Sequence, residues 1–445
     1  MWWRSLAPLG LVTVLVGLTG AFLMPFLPVF LNQQVKATPL QTSLFLFLSP
    51  VAAIVVSNVV GRISDRPGAR QRVIVVAATG GIIGFTLYAV VRQYWLLLAV
   101  SLTLVAVSTA IVPQVYALGR EVVLRDTPSR ATLGTNALRM MMSLAWAAGA
   151  PLGAFLLAAL DFDGLFLAMA LMYLVVLGVV VGLRDTLFRS RSTGRVAPPA
   201  DGETTAGPSA DGPVDPAPSA NGLATAAAEV APIAVPTGAN PAVRATPSRL
   251  MIAAITVAFV LLQAVTILTV TAMPLFVSVN LKGTLANAGS ILGLCATLEL
   301  PLMLAFGALA ARWPLTRLLL LGAFCGIAYC LALSLATSVW QVTAAQVLHA
   351  CFVCCIGGLG ITYFQELMPA ALGRATTLFS NTGRLAGMLS GLAFGLAQVH
   401  GYRLAYVCAL GLALTGTAVL GAVIHRQQRR GSPARLGRTV AETPA

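Results

Sequence analysis

The chain has 445 residues, of which 58% are hydrophobic and 9% are charged, and its formal net charge is +14. This composition excludes a soluble globular protein of ordinary makeup and predicts a membrane protein. A segment of about 20 apolar residues is long enough to cross a bilayer core of about 30 Å. Twelve such segments are predicted: 6–31, 40–61, 73–91, 95–118, 133–158, 162–183, 250–279, 286–310, 316–336, 339–367, 376–398 and 402–424.

The connection between the second and third segments carries a glycine, an Asp-Arg pair and spaced arginines, from Gly61 to Arg72. Gly61 permits a tight turn, and Asp65 can accept hydrogen bonds from helix N-termini or arginines. The alternative is an ordinary basic turn. The order and spacing resemble the signature loop of the major facilitator superfamily. This resemblance implies an all-α membrane protein whose twelve transmembrane helices form two pseudo-symmetric six-helix bundles, and it implies secondary transport.

Basic residues are distributed unevenly among the connections between segments. The odd-numbered connections hold at most one each, at Lys36, Arg92, Lys282 and Arg403, while the even-numbered connections and the termini hold the rest. Cytoplasmic connections of membrane proteins are enriched in Lys and Arg. Both termini are therefore predicted to be cytoplasmic, and the positive charge is explained by topology and membrane lipid rather than by nucleic acid.

The chain changes character between the sixth and seventh segments. Residues 192–248 are rich in Ala, Pro, Gly, Ser and Thr and contain no aromatic residue. Such a stretch cannot bury enough apolar surface to offset its ordering entropy. The predicted organisation is an N-terminal six-helix bundle at 1–185, a disordered cytoplasmic linker at 186–249, a C-terminal six-helix bundle at 250–424 and a basic cytoplasmic tail at 425–445.

The two halves of the sequence contain matching motifs in matching order. The matched residues are Asn136 and Asn381, Arg139 and Arg384, Glu121 and Glu366, and Met24-Pro25 and Met273-Pro274. Any one match arises readily by chance, but the set indicates an internal duplication of the kind found in many transporters.

Several runs resemble the bacterial sugar efflux transporter family more narrowly. They are Tyr363 to Pro369, Arg374 to Asn381, Pro113-Gln114 and Leu298 to Pro301. The resemblance implies a monomeric antiporter of the bacterial plasma (inner) membrane that exports a small-molecule sugar or glycoside, with protons as the coupling ion. Two other functions stay open, a multidrug/proton antiporter of the same fold and a non-transporting membrane receptor.

Two charged residues in predicted spans are candidates for gating and coupling. Arg139 in the fifth segment and Glu299 in the eighth lie at similar depths, and in the superfamily's fold these two helices meet. An ionised side chain in a membrane helix usually faces a partner or a wet cavity. The sequence therefore predicts an Arg139–Glu299 pair between the halves, with Glu299 as a proton carrier. The alternative is a static structural ion pair.

Two further groups of polar residues are candidates for substrate binding and for closing the cytoplasmic side. The predicted substrate-contacting residues are Gln114, Gln365, Asn136, Asn381 and Arg384. The predicted gating loop and latch consist of Gly61, Asp65, Arg66, Arg70, Glu121, Glu366 and Arg374. The alternatives are helix–helix packing for the amides and proton transfer for Glu121 and Glu366.

The sequence predicts no cofactor and no metal site. The seven cysteines all fall within predicted segments and the three histidines are scattered, which favours packing over metal binding or redox chemistry. A nucleotide-binding Gly-Lys-Ser/Thr loop is absent from the sequence, and the predicted spans do not group a nucleophile with a base. An enzyme is therefore not expected.

Overall fold

The computed structural model describes residues 3–64, 69–126, 131–182, 248–369 and 371–430. All regular structure within these ranges is helical, because a segment inside the hydrocarbon layer must satisfy its backbone hydrogen bonds internally. The expected twelve-helix membrane fold is confirmed. The helices are labelled α1 to α12 below, one for each span.

The N-terminal half contains six spans. They are α1 (Trp3–Gln33), α2 (Pro39–Ser64), α3 (Ala69–Val90), α4 (Tyr94–Val100, Ser101–Val105, Ala106–Ser108 and Ile111–Asp126), α5 (131–160) and α6 (162–182). The helix α4 is π-helical over Ser101–Val105 and is interrupted at Thr109 and Ala110. The chain turns from α5 into α6 at Asp161, whose φ is 54°.

The C-terminal half contains the other six spans. They are α7 (Arg249–Leu275 and Phe276–Asn280), α8 (Leu285–Ala310), α9 (Leu315–Leu335), α10 (Val339–Val353, Cys354–Gly358 and Leu359–Leu367), α11 (Leu372–His400) and α12 (Arg403–Arg430). The helix α10 is π-helical over Cys354–Gly358. The helix α12 extends past residue 424, the predicted end of the bundle, so the start of the predicted basic tail is helical.

Ten stretches among the described residues are long and apolar enough to cross a membrane. One of them, Met140–Gly182, holds most of α5 and all of α6. The span missing from the ten is α11, which is 29 residues long but carries Arg374, Asn381 and Arg384. Counting α5 and α6 separately and adding α11 gives the twelve spans.

The backbone repeats between the two halves at the ends of α1 and α7. The carbonyl of Phe30 accepts from the amide of Val35, and that of Phe276 accepts from Leu281. Lys36 and Lys282, one residue further on, share a φ of 54°. Pro274 therefore corresponds to Pro28. The predicted match of Met24-Pro25 with Met273-Pro274 is therefore wrong by about one helical turn. A Met-Pro pair is too short to define the register between the two helices, whereas the backbone hydrogen bonds define it.

Candidate functional site

The two bundles contact each other mainly through two helix pairs, α2 with α11 and α5 with α8, and less extensively through α1 with α7. The face of the molecule where α1 begins and α12 ends is called the terminal face here, and the other is called the opposite face. Along α2 and α11, the hydroxyl of Ser43 donates to the carbonyl of Gly391 at 3.1 Å. A β-carbon on Gly391 would lie 2.9 Å from the backbone of Leu46. The backbones therefore touch on the opposite-face side of the molecule.

The α5–α8 pair is equally close on the same side. A β-carbon on Gly289 would lie 2.8 Å from the carbonyl oxygen of Ala150, and one on Gly293 would overlap the ring of Pro151. Only a residue without a side chain fits at such a distance. The two contact zones, Ser43 with Gly391 and Ala150–Pro151 with Gly289–Gly293, are called the opposite-face seams below.

Burial falls away along α2 and α8 toward the terminal face. Among residues 51–60 of α2 none is buried, and Val55 and Val59 are more than half exposed. In α8 the stretch 288–295 is mostly buried, but Leu304 is 72% exposed. The described contacts between the halves therefore concentrate toward the opposite face, and α2 and α8 lose burial toward the terminal face.

Glu299 lies in α8 between the buried stretch 288–295 and the exposed Leu304, and is half-buried. The thiol of Cys295, one turn earlier, donates to its carboxylate at 3.4 Å. The same sulfur is 3.2 Å from Nδ1 of His349 in α10. The ring of His349 stacks on Tyr329 of α9, with centroids 4.4 Å apart and an angle of 10° between the planes. A polar chain thus leads from Glu299 into the C-terminal bundle, where His349 is only 2% exposed.

Arg384 in α11 is buried, although its side chain carries a permanent charge. Its Nη1 donates to Oδ1 of Asn381 at 3.4 Å, a long hydrogen bond. Its Nε and Nη2 have no partner among the described residues. The structure thus brings Asn381 and Arg384 together, as predicted candidates for substrate contact, and leaves two guanidinium donors for another group.

The predicted amides have different surroundings. Gln114 of α4 is 3% exposed. Gln365 of α10 donates to the hydroxyl of Thr376 in α11 at 3.3 Å. This hydrogen bond of Gln365 joins α10 to α11. It therefore fits helix–helix packing, the alternative to substrate contact in the sequence analysis.

Several predicted residues lie outside what the structure describes. They are Asp65 and Arg66, and the side chains of Glu121, Asn136 and Arg139, while Gly61 is placed only as part of α2. The predicted Arg139–Glu299 pair stays a prediction. Of the latch residues, Arg70 is half-buried at the start of α3, and Glu366 and Arg374 are exposed at neighbouring ends of α10 and α11.

Sequence reasoning missed a cleft inside the N-terminal bundle. Its lining includes Thr19, Ser108, Trp146 and Tyr173. The search for buried charge in membrane helices could not find these neutral side chains. The usable signal is the adjacent pair of hydroxyls at Ser108 and Thr109 in the middle of the fourth span.

Comparison with known proteins supplies the family. The sequence profile of the Major Facilitator Superfamily matches residues 9–391. A Deinococcus radiodurans protein named for sugar efflux is 33% identical over 417 residues, which is 93% of this chain and 96% of that protein. Sugar efflux transporter A of Dickeya chrysanthemi is 30% identical over 409 residues, 92% of each protein.

Solved structures agree on the fold. The nucleoside transporter NupG superimposes with a TM-score of 0.69 at 11% identity, covering 94% of this chain and 98% of that one. The peptide transporter POT gives a TM-score of 0.70 at 14% identity, covering 96% and 95%. The twelve helices in two bundles, the match over residues 9–391 and these relatives agree, and the chain belongs to the major facilitator superfamily.

Proposed function

We propose that this protein exports sugars or sugar-like glycosides from the bacterial cytoplasm, by alternating access coupled to protons. The substrate class comes from the relatives named as sugar efflux transporters, which match over nine-tenths of the chain. Alternating access means that a central cavity opens to one side of the membrane at a time.

The single observation that supports the mechanism is that the described contacts between the halves concentrate near one face. The opposite-face seams hold the halves together by backbone contact at Gly289 and Gly391, while α2 and α8 lose burial toward the terminal face. Opening the seams and closing the terminal face would expose the cavity to the other side. Helix surfaces that meet through glycines can separate as rigid bodies, because no interlocked side chains have to be withdrawn.

The export direction rests on the relatives named for sugar efflux, and the predicted topology is compatible with it. Basic residues cluster in the even-numbered connections and at the termini, which supports a cytoplasmic position of the terminal face by the positive-inside rule. The described conformation is then the one in which an exporter of the inner membrane loads its substrate.

Substrate contact is assigned to Arg384, Asn381 and Gln114. A sugar presents many hydroxyl oxygens, and the unpartnered Nε and Nη2 of Arg384 are donors for them. Proton coupling is assigned to Glu299, with Arg139 as its partner between the halves. The contact of Glu299 with Cys295 supports this role because it connects the carboxylate to a buried polar chain.

Transport by inside-out membrane vesicles tests the proposal. Uptake of labelled lactose and glucose analogues is measured with and without an acid-inside pH gradient, against vesicles that lack the protein. Accumulation that requires the gradient is expected. Uptake that only equilibrates would reject proton coupling, and movement of dyes without any sugar flux would reject the substrate class.

A Glu299→Gln variant in the same vesicles separates coupling from binding. Glutamine keeps the shape of the side chain but cannot exchange a proton, so gradient-driven accumulation is expected to disappear while exchange of sugar across the membrane continues. Unchanged accumulation would remove Glu299 from the coupling mechanism.

A further inference from the structure

The guanidinium of Arg384 is a buried charge close to the junction between the two halves. Arg384 lies near the middle of α11 and is only 3% exposed. One helical turn further along, a β-carbon on Gly387 would lie 3.2 Å from the ring of Pro50 in α2, which belongs to the other bundle. The charge is therefore held inside the membrane-spanning part of the molecule, beside the contact between α2 and α11.

One edge of this guanidinium is unused. Its Nη1 donates to Oδ1 of Asn381 at 3.4 Å, whereas Nε and Nη2 have no partner among the described residues. Nε and Nη2 lie on the same edge of the group and present parallel N–H bonds, which match the two oxygens of a carboxylate. These two nitrogens are called the free fork below. The unused donors of Arg384 are thus arranged as a pair.

An acidic partner for Arg384 is missing from the neighbouring helices. The helices that pack most extensively on α11 are α2, α7, α10 and α12. These four and α11 itself contain a single acidic residue, Glu366, which is exposed at the terminal-face end of α10. Glu299 lies on α8, and its carboxylate accepts from Cys295. Within the part of the chain that the structure describes, Arg384 therefore has no counter-charge.

The missing counter-charge indicates what kind of ligand completes the site. An arginine keeps its charge inside a protein, and an unpaired charge in a low-dielectric interior is unfavourable. Sugar hydroxyls would satisfy the two donors but would leave the charge uncompensated. A carboxylate supplies two acceptor oxygens and one negative charge. A phosphate dianion would bring a second charge that one arginine does not balance.

The surroundings of Arg384 differ on its two sides along α11. Toward the opposite face, Gly387 and Gly391 are in close contact with α2. Toward the terminal face, Asn381 is half-buried, and none of residues 51–60 of α2 is buried. A ligand therefore reaches Arg384 from the terminal-face side. The hydrogen bond to Asn381 is long, so the guanidinium loses little when its flexible side chain turns toward a ligand there.

We propose that Arg384 binds the carboxylate of an acidic sugar, a uronic acid or a glycoside of one, in preference to a neutral sugar. Nε and Nη2 donate to the two carboxylate oxygens, and the rest of the sugar lies on the side of Asn381. The inference rests on the proposed sugar export and deepens it, because it names the charge of the substrate.

Two ligands of nearly the same shape test the charge. Glucuronate carries a carboxylate where glucuronamide carries a neutral amide, and the binding of each to the purified full-length protein is measured at equilibrium. The unaltered protein is expected to bind glucuronate at least about tenfold more tightly than glucuronamide, because a paired carboxylate forms two charge-assisted hydrogen bonds. Equal affinities, or no binding of glucuronate, would overturn the inference.

Variants of Arg384 assign the preference to the free fork. Arg384→Gln is expected to abolish the preference for glucuronate, and Arg384→Lys is expected to reduce it, since lysine keeps the charge but not the planar fork. Arg317→Gln is the matched control, because it removes the same charge from an exposed position at the start of α9. Its preference is expected to be unchanged.

A preference that persists undiminished in Arg384→Gln would overturn the inference. If Arg384→Gln does not fold, Arg384→Lys decides in the same way. Vesicle transport separates this inference from the proposed function. Export of neutral glucose analogues by a protein that does not distinguish glucuronate from glucuronamide would leave sugar export standing and reject the acidic substrate. If neither acidic nor neutral sugars are transported, the proposed function fails instead.

Discussion

The two bundles hold an arginine in the same place by different routes. In the N-terminal half, Arg92 follows α3, donates to the carbonyls of Tyr88 and Val91 at 2.9 Å each, and covers the ring of Phe30. In the C-terminal half, Arg403 at the start of α12 reaches across to the carbonyls of Ser334 and Ala336 at the end of α9.

The second arginine also covers the matching ring, Phe276, at 5.8 Å from its centroid, compared with 5.3 Å for Arg92 over Phe30. What the two halves share is thus a physical requirement and not a sequence position. The last carbonyls of the third helix in each bundle need donors, and a guanidinium on an aromatic ring supplies them. Duplicated bundles preserve such requirements while the residue that meets them moves.

The interiors of the halves differ more strongly. The N-terminal bundle contains the cleft beside Trp146, whereas the C-terminal bundle packs His349 against Tyr329 and Cys295. One half thus keeps a small cleft at its centre, whereas the centre of the other is filled by its own side chains.

The largest effect is expected where the halves meet and act together. Leucine at Gly289 or Gly391 would overlap the backbone across the opposite-face seams, and overpacking of this kind costs about 1–3 kcal/mol. Because the cost falls only on the state with this face closed, transport is expected to drop at least about tenfold. The rate of sugar export and the distance between labels at Leu40 and Val399, both exposed near this face, measure the change.

Gly178→Leu and Gly411→Leu are the controls for the seams, since a β-carbon at either position meets no atom within 4 Å. Both are expected to transport normally. Normal transport by Gly289→Leu and Gly391→Leu as well would show that the opposite-face seams do not close during the transport cycle. The contacts between the halves near this face would then not support alternating access.

The next effect is on stability and concerns the filled interior. His349→Ala would leave a void beside Tyr329 and remove the partner of Cys295, for a loss of about 3 kcal/mol in the free energy of unfolding. Thermal unfolding in detergent measures it, with His400→Ala as the control, because His400 is exposed at the end of α11. Equal unfolding temperatures for the two variants would mean that the C-terminal interior is no better packed than the N-terminal cleft.

The fold could be predicted from the sequence because its determinants are local. Apolar length gave the spans, and α11 was found despite Arg384 because the alternation of basic connections requires a span there. The site was harder. The positions of Asn381 and Arg384 follow from their spacing on one helix, but the hydrogen bond of Gln365 to Thr376 depends on how two helices meet.

The sequence could not predict the cleft in the N-terminal bundle or the shared position of Arg92 and Arg403 over an aromatic ring, for a different reason. Trp146, Ser108 and Tyr173 come from three helices, and no spacing along the chain connects them. Arg92 and Arg403 occupy positions that do not correspond in the repeat, so a search for matching motifs passes over both. Both features arise from packing between helices.

A smaller loss of stability is expected for substitutions of Arg403. Arg403→Ala would remove both donors from the end of α9, but Arg403 is only half-buried, so water replaces part of the lost bonding and a total loss of about 2 kcal/mol is expected. The unfolding temperature is expected to fall clearly. Arg403→Lys keeps the charge but not the planar fork, and an intermediate loss is expected. Full stability of Arg403→Lys would show that charge alone, and not the two directed bonds, holds this helix end.

The smallest effect is expected for the ion pair of Arg92 with Asp163. Arg92 also contacts Asp163 at the start of α6, but the Asp163 side chain is 62% exposed, and such pairs contribute about 0–1 kcal/mol. Asp163→Asn is therefore expected to change the unfolding temperature little, and less at high salt than at low salt.

Arg92→Ala, which also loses the carbonyls of Tyr88 and Val91, is expected to cost as much as Arg403→Ala. The comparison of Asp163→Asn with Arg92→Ala shows whether the helix end or the acid holds Arg92 in place. If Asp163→Asn destabilised the protein as much as Arg92→Ala, the acid and not the helix end would hold Arg92 in place. The two arginines would then serve different purposes, and their common position over Phe30 and Phe276 would have to be a coincidence of packing.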